Sequence, residues 1–141
     1  MSAVKGVNYT KYDAGTYGDN WIDQGKIKSG VHVWTDSYEA SALENASTIA
    51  IAELPDGAVV LDVTVISDDL GSTVTISAGD SDDADRYIAA TSVSAANDVL
   101  SLATVAGLGY VIGTNDGDNT VLLTTAGILG GTISTKVVYS V

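Results

Sequence analysis

From residue 47 to residue 90 the sequence reads STIAIAELPDGAVVLDVTVISDDLGSTVTISAGDSDDADRYIAA, with apolar residues recurring at every second position through much of it. In residues 58–66, Val59, Leu61, Val63 and Val65 fall on one side of a pleated strand and Asp62 and Thr64 on the other, which predicts a half-buried strand. Leu54, Pro55, Asp56 and Gly57 precede it as a turn: Pro pre-sets φ, Asp bonds its own backbone and Gly accepts positive φ. Residues 48–53 are therefore expected to pair with residues 58–66. A second break at Asp68, Asp69, Leu70 and Gly71 leads into residues 72–78, where Val74 and Ile76 alternate with Thr73, Thr75 and Ser77. The expectation is a meander of three antiparallel strands.

The flanks carry the same texture. Residues 30–36 alternate Val31, Val33 and Thr35 against His32, Trp34 and Asp36, a strand with one candidate core face and with Trp34 as a core-rim or contact residue. Residues 37–46 read as a loop or a short helical turn. An acidic loop follows the meander at residues 79–86, then a short strand at 87–90, and residues 91–102 read as a long connection with a turn of helix. Residues 104–113, TVAGLGYVIG, are apolar and broken by glycine, which suits a buried or bulged strand. Asn115, Asp116, Gly117 and Asp118 signal a hairpin. Strands are expected at 119–125 and 131–141, the latter with Ile133, Thr135, Val137, Tyr139 and Val141 on one face and Thr132, Ser134, Lys136 and Ser140 on the other. The runs predict an all-β fold, an antiparallel two-sheet sandwich of about eight short strands, jelly-roll-like. The β-sandwich domain spans 30–141, and residues 1–29, lacking any sustained period, read as an irregular N-terminal arm.

Composition agrees with strands and adds a constraint. Fifteen glycines, one proline, no phenylalanine and no cysteine leave a core held by packing and pairing alone, with no disulfide framework and no thiolate metal site. The opening residues MSAVKGVNYTKYD have no apolar stretch of signal-peptide type, so synthesis in the cytoplasm is expected, and no run approaches the length of a membrane-spanning helix. Net charge is −12, unevenly spread. Residues 1–28 hold four lysines against three aspartates, whereas the remaining 113 residues hold Arg86 and Lys136 against fifteen acids. A body this acidic is repelled by phosphate backbones, so nucleic acid is not expected as a partner. The arm is chemically different: Tyr9, Tyr12, Tyr17 and Trp21 place four of the nine aromatic residues in the first 21 positions. Tyr and Trp offer a large apolar face with a polar tip and carry much of the energy of protein interfaces. With Lys26, Lys28 and Trp34 they form the candidate partner-binding set. The competing reading is an arm packed back on its own sandwich, covering an open edge.

Catalytic sets are scarce. His32 is the sole histidine and sits within a strand without an evident nucleophile beside it. Asp80, Asp82, Asp83 and Asp85 form the densest carboxylate cluster, and carboxylate oxygens suit Ca²⁺. As an EF-hand loop the stretch fails, with Ala84 at position 5, Asp85 at the glycine position and Thr91 in place of the closing glutamate. The competing reading is an acidic turn whose aspartates bond backbone N–H groups, with Arg86 paired to one of them. No cofactor is expected.

The arm GVNYTKYDAG…WIDQGKIKSGVHVWTDSY, the hairpin STIAIAELPDGAVVLDVTV and the segment VTISAGDSDDADRYIAA together resemble small virion structural proteins of tailed bacteriophages, of the capsid decoration or cement type. The resemblance covers residues 5–90, and residues 91–141 share only the β-rich, glycine-rich texture. It implies a non-enzymatic β-sandwich on the outer surface of the head shell, with the major capsid protein as partner and a homo-oligomer, a trimer rather than a dimer. It also implies synthesis in the host cytoplasm and residence in the virion. The alternatives are a carbohydrate- or calcium-binding sandwich module and a phage neck or tail component.

Overall fold

A computed structural model of the chain describes residues 30–113 and 119–141. The expected arm at 1–29 and the hairpin signal at 115–118 lie outside the described residues. Eight strands are present: β1 (Val31–Leu43), β2 (Thr48–Glu53), β3 (Val59–Ser67), β4 (Thr75–Gly79), β5 (Ile88–Ser92), β6 (Asp98–Ser101), β7 (Thr120–Ala126) and β8 (Leu129–Ser140). They form two four-stranded antiparallel sheets, ordered β1-β8-β3-β6 and β2-β7-β4-β5. This is the jelly-roll order, with the first strand paired to the last and the second to the last but one. The described residues contain no helix.

The expected meander is overturned by this topology. Residues 54–57 do turn, with Gly57 at φ 80° and the Ala58 N–H donating to Pro55 O at 3.0 Å. The turn carries the chain across to the opposite sheet, so β2 pairs with β7 and β3 with β8 and β6. Among the described pairings only β4 with β5 joins sequence neighbours. A local turn signal fixes where a chain bends and leaves its pairing partner open.

Three segments differ from expectation. Residues 37–43, expected as a loop, continue β1, because β8 is long enough to give Ser37, Tyr38, Glu39 and Ala40 partners at Ser134, Ile133, Thr132 and Gly131. Residues 98–101 form β6 rather than part of a connection, pairing with residues 64–67 of β3. Residues 104–113 are not a strand. They form a loop fastened by backbone hydrogen bonds, Gly109 N–H to Val60 O and Ile112 N–H to Ala58 O, each 2.8 Å, with Val111 alone bridging to Val59. Val105 at its tip is 99% exposed, whereas Ile112 is buried in the core and Tyr110 packs against it, so the apolar sequence reflects burial at one end of the loop only.

The core lies between the sheets. Val63, Val65, Ile133 and Val137 come from one sheet and Ile76, Ala78, Val121 and Leu123 from the other, all fully buried, with Tyr87, Leu54 and Leu129 closing the ends. Each buried Val, Leu or Ile contributes about 1.5–3 kcal/mol. The alternation expected in β8 is present from Thr132 to Val137, with Ile133, Thr135 and Val137 buried and Ser134 and Lys136 exposed, but it fails at the end of the chain, where Ser140 is buried and Val141 is exposed.

Candidate docking surface

A sandwich of two open sheets has four edge strands, each presenting unpaired backbone groups that invite another chain. Here β6, β5 and β2 are only 4, 5 and 6 residues long, and short edges are one way such invitations are blunted. β1 is 13 residues long and, among the described residues, pairs on one side only, with β8. Its sequence, VHVWTDSYEASAL, is rich in branched and aromatic residues that favour extended backbone. It is therefore the one long open edge among the described residues.

Both faces of β1 are accessible. Val31 and Val33, whose alternation suggested a core face, point outward and are 59% and 58% exposed. The inward side carries His32, Trp34, Asp36 and Tyr38, opposite Tyr139, Val137, Thr135 and Ile133 of β8. Trp34 and Tyr38 remain 39% exposed, because the short β2 on the facing sheet roofs only part of β1. His32 stacks on Tyr139 with ring centroids 5.5 Å apart. Where β1 and β2 approach, a slot of about 60 Å³ opens, walled by Asp36, Ser37 and Tyr38 and floored by Ile49, Ile51, Leu123 and Ile133.

Of the candidate partner-binding residues, Trp34 lies on the same face of β1 as Asp36 and Tyr38, opposite Val137 of β8, and does not line the slot. Tyr9, Tyr12, Tyr17, Trp21, Lys26 and Lys28 lie outside the described residues. Tyr38 escaped the sequence reading. Continuing the alternation His32, Trp34, Asp36 by one more step would have placed it on the same face.

The acidic loop is built as a clasp. Asp80 is 8% exposed, and its Oδ1 accepts from the N–H groups of Asp82 and Asp83 at 3.1 and 2.9 Å. Arg86 donates from Nε to Asp80 Oδ2 at 2.5 Å and from Nη2 to Oδ1 at 3.3 Å, as the expected ion pair. Its guanidinium lies 4.1 Å from the centre of the Tyr110 ring. The hydrogen bond to Asp80 raises the Arg86 pKa against the opposing effect of burial. Gly79 is required beside it, since a Cβ there would run into the Asp83 carbonyl oxygen. Arg86 O in turn accepts from the Thr104 hydroxyl, whose oxygen accepts from Gly107 N–H at 3.1 Å. One residue thus ties two loops together. Both Asp80 oxygens are engaged from within the protein, and the described residues contain no group of three or more His, Cys, Asp or Glu placed to hold a metal ion. Asp85 is raised above the usual carboxylate value by its hydrogen bond with Asp83 and then by that neighbour's charge. Burial pushes the Tyr87 phenol well above its ordinary value, and its hydroxyl has no hydrogen-bond partner. No helix among the described residues is long and apolar enough to cross a membrane.

No protein-family model matches the sequence. No curated protein matches it. Solved structures do. A chain in the "Cyanophage Pam1 capsid asymmetric unit" is 25% identical, with TM-score 0.61 over 81% of this chain and 85% of that one. A chain in the "Capsid of Ralstonia phage GP4" is 17% identical, with TM-score 0.58 over 84% of this chain and 88% of that one. A chain in the "Acidic stable capsid structure of Helicobacter pylori bacteriophage KHP30" is 14% identical, with TM-score 0.56 over 80% of this chain and 89% of that one. The likeness to phage virion structural proteins therefore extends from short sequence motifs to the fold of the described chain.

Proposed function

We propose that this chain is a non-enzymatic capsid decoration, or cement, protein that binds the outer surface of a phage head shell and stabilises it. The observation that carries this reading is the likeness to a chain of the Pam1 capsid, which covers four fifths of this chain at 25% identity. Two physical features support it. The body, with fifteen acids against two basic residues from position 29 onward, is repelled by packaged nucleic acid and suits the outside of a shell. The long open edge of β1, with Trp34 and Tyr38 half-exposed beside it, suits contact with another protein.

In this reading the partner is the major capsid protein, and Tyr9, Tyr12, Tyr17, Trp21, Lys26 and Lys28 of the leading segment, together with Trp34, contact it or a neighbouring copy of this chain. Copies associate with one another, as a trimer rather than a dimer, and the chain is made in the host cytoplasm before it joins the virion. Co-sedimentation with heads that lack this protein tests it. Deleting residues 1–25 is expected to leave the circular dichroism of a β domain and to abolish binding. Full occupancy by the truncated chain would overturn the assignment of the contacts. Copy number from mass spectrometry of purified particles tests the location: parity with the major capsid subunit is expected, and a few copies per particle would place the chain in the neck or tail.

A further inference from the structure

We propose that Asp36 guards the open edge of β1 against pairing with the same edge of a second copy, by holding the Ser37 amide with its own carboxylate and by setting a charge where the two edges would meet. Such a guard acts whether or not the chain decorates heads.

The guard is built from local hydrogen bonds. Asp36 O accepts from the Thr135 hydroxyl of β8 at 3.4 Å, so the backbone of Asp36 turns toward that strand. Successive residues of a strand turn their backbone groups to alternate sides, which puts the Ser37 N–H on the open side. There it donates to Asp36 Oδ1 at 2.8 Å. Asp36 and Ser37 are both exposed, so nothing among the described residues shields this bond.

Position gives one capped amide its reach. β1 runs over 13 residues from Val31 to Leu43, and Ser37 is the middle one, so any seven consecutive residues of the strand include it. A strand that adds to β1 over such a stretch must take the Ser37 N–H from Asp36 or leave a gap in its ladder. The other edge strands are blunted by being short, whereas the long one carries a charge and an occupied donor.

The charge acts on the register that the rest of the strand favours. Two β1 edges related by a two-fold axis at Asp36 would join residues 33–39 antiparallel, with Trp34 opposite Tyr38 and Thr35 opposite Ser37, each twice. Trp34 and Tyr38 are each 39% exposed, and aromatic and hydroxyl pairs of this kind stabilise a ladder. The same register needs both Ser37 amides for bonds to the Thr35 carbonyls. It also sets the two Asp36 side chains against each other in a non-hydrogen-bonded pair, where side chains come closest and like charges destabilise. Neither basic residue of the body relieves them, since Arg86 is held by Asp80 and Lys136 lies 3.6 Å from Asp62. Shifted registers of seven or more residues avoid the facing carboxylates but still draw on the Ser37 amide.

Replacing Asp36 in the full-length chain tests this. Asp36→Ala removes both cap and charge, and by light scattering after size exclusion it is expected at twice the mass of the unaltered chain or more at the same concentration, with β circular dichroism retained. Asp36→Asn keeps an acceptor for the Ser37 N–H and loses the charge, so it is expected to associate less than Asp36→Ala. Adding Ser37→Pro to Asp36→Ala deletes the amide that the new ladder requires, and proline is tolerated on an edge strand where the N–H faces solvent. The double variant is expected to return to the unaltered mass. If Asp36→Ala loses the β spectrum, Asp36→Val, which has no acceptor and favours extended backbone, takes its place. An Asp36→Ala chain of unaltered mass, an Asp36→Asn chain as associated as Asp36→Ala, or a double variant that stays enlarged would each overturn the proposal.

Discussion

Replacing Asp80 by alanine is the sharpest test of how the acidic loop is held. The side chain is 8% exposed and Arg86 is 14% exposed, so both charges sit largely out of water. Alanine removes the acceptor of the Asp82 and Asp83 N–H groups and leaves the guanidinium with Asp83 at 3.9 Å as its remaining ion-pair partner. Breaking a largely buried pair by removing one member costs about 3–5 kcal/mol, since the surviving charge stays desolvated. For a domain of this size that is a fall in Tm of roughly 10–15 °C. Asp80→Asn separates the contributions: the amide oxygen still accepts from the two turn N–H groups, while the charge facing Arg86 is gone, and about 1.5–3 kcal/mol should be lost. Urea unfolding followed by circular dichroism, with and without Ca²⁺, reads both. A loss below about 1 kcal/mol for Asp80→Ala would refute the clasp, because a structural pair this enclosed does not vanish without cost. So would a Ca²⁺-dependent rise in Tm that disappears in the variant, since both carboxylate oxygens would then belong to a metal.

Two further outcomes concern titration. Asp85 has a raised pKa in the folded chain, so folding is favoured as pH falls through that value and the group opposes folding at neutral pH. Asp85→Asn is accordingly expected to be the more stable protein at pH 7, with the difference closing once pH drops below the ordinary value of 3.8; an unchanged gap in thermal melts across that range would show that Asp83 does not act on it. Tyr87→Phe removes a fully buried hydroxyl that has no partner and should raise stability by about 1 kcal/mol, with a loss of similar size in urea unfolding as the contrary result. Because burial raises the Tyr87 pKa, its contribution is complete below the ordinary value of 10.0 and is lost as pH rises beyond it, so alkaline melts of Tyr87→Phe should fall less steeply than those of the unaltered chain.

Sequence periodicity located the strands better than it paired them. The alternation of Val63 and Val65 against Asp62 and Thr64 follows from one buried and one open face, whereas a register shift between Val60 and Asp62 breaks the expected pattern upstream, burying Val60 and leaving Leu61 half-buried. What alternation does not encode is which sheet receives the strand, so the turn at Pro55 was read as a hairpin although it crosses the sandwich. The same limit explains β1. Val31 and Val33 look like core residues because β-branched side chains favour extended backbone wherever it lies, whereas burial depends on whether a facing sheet extends that far. The Asp80–Arg86 clasp was legible because it is local, six residues apart in one loop. The slot was not, since Tyr38, Ile51, Leu123 and Ile133 meet only once the topology is known.

That topology also bears on what a holding protein must withstand. β1 is joined to β8 by ten consecutive register pairs, from Val31 with Ser140 to Ala40 with Gly131. The chain enters β1 at Gly30. A pull delivered there along the strand axis loads those ladder bonds together in shear, whereas a pull across an end would open them one pair at a time. β8 is held on its other side by β3, from Val59 with Ser140 to Ser67 with Ile133, so the load passes into the middle of a sheet rather than to a second free edge. A chain that grips a neighbour through a segment continuous with β1 therefore transmits tension into the most extensively paired part of its own fold. A site carried on the loop at Val105, fastened by a few backbone bonds, would not give the same resistance.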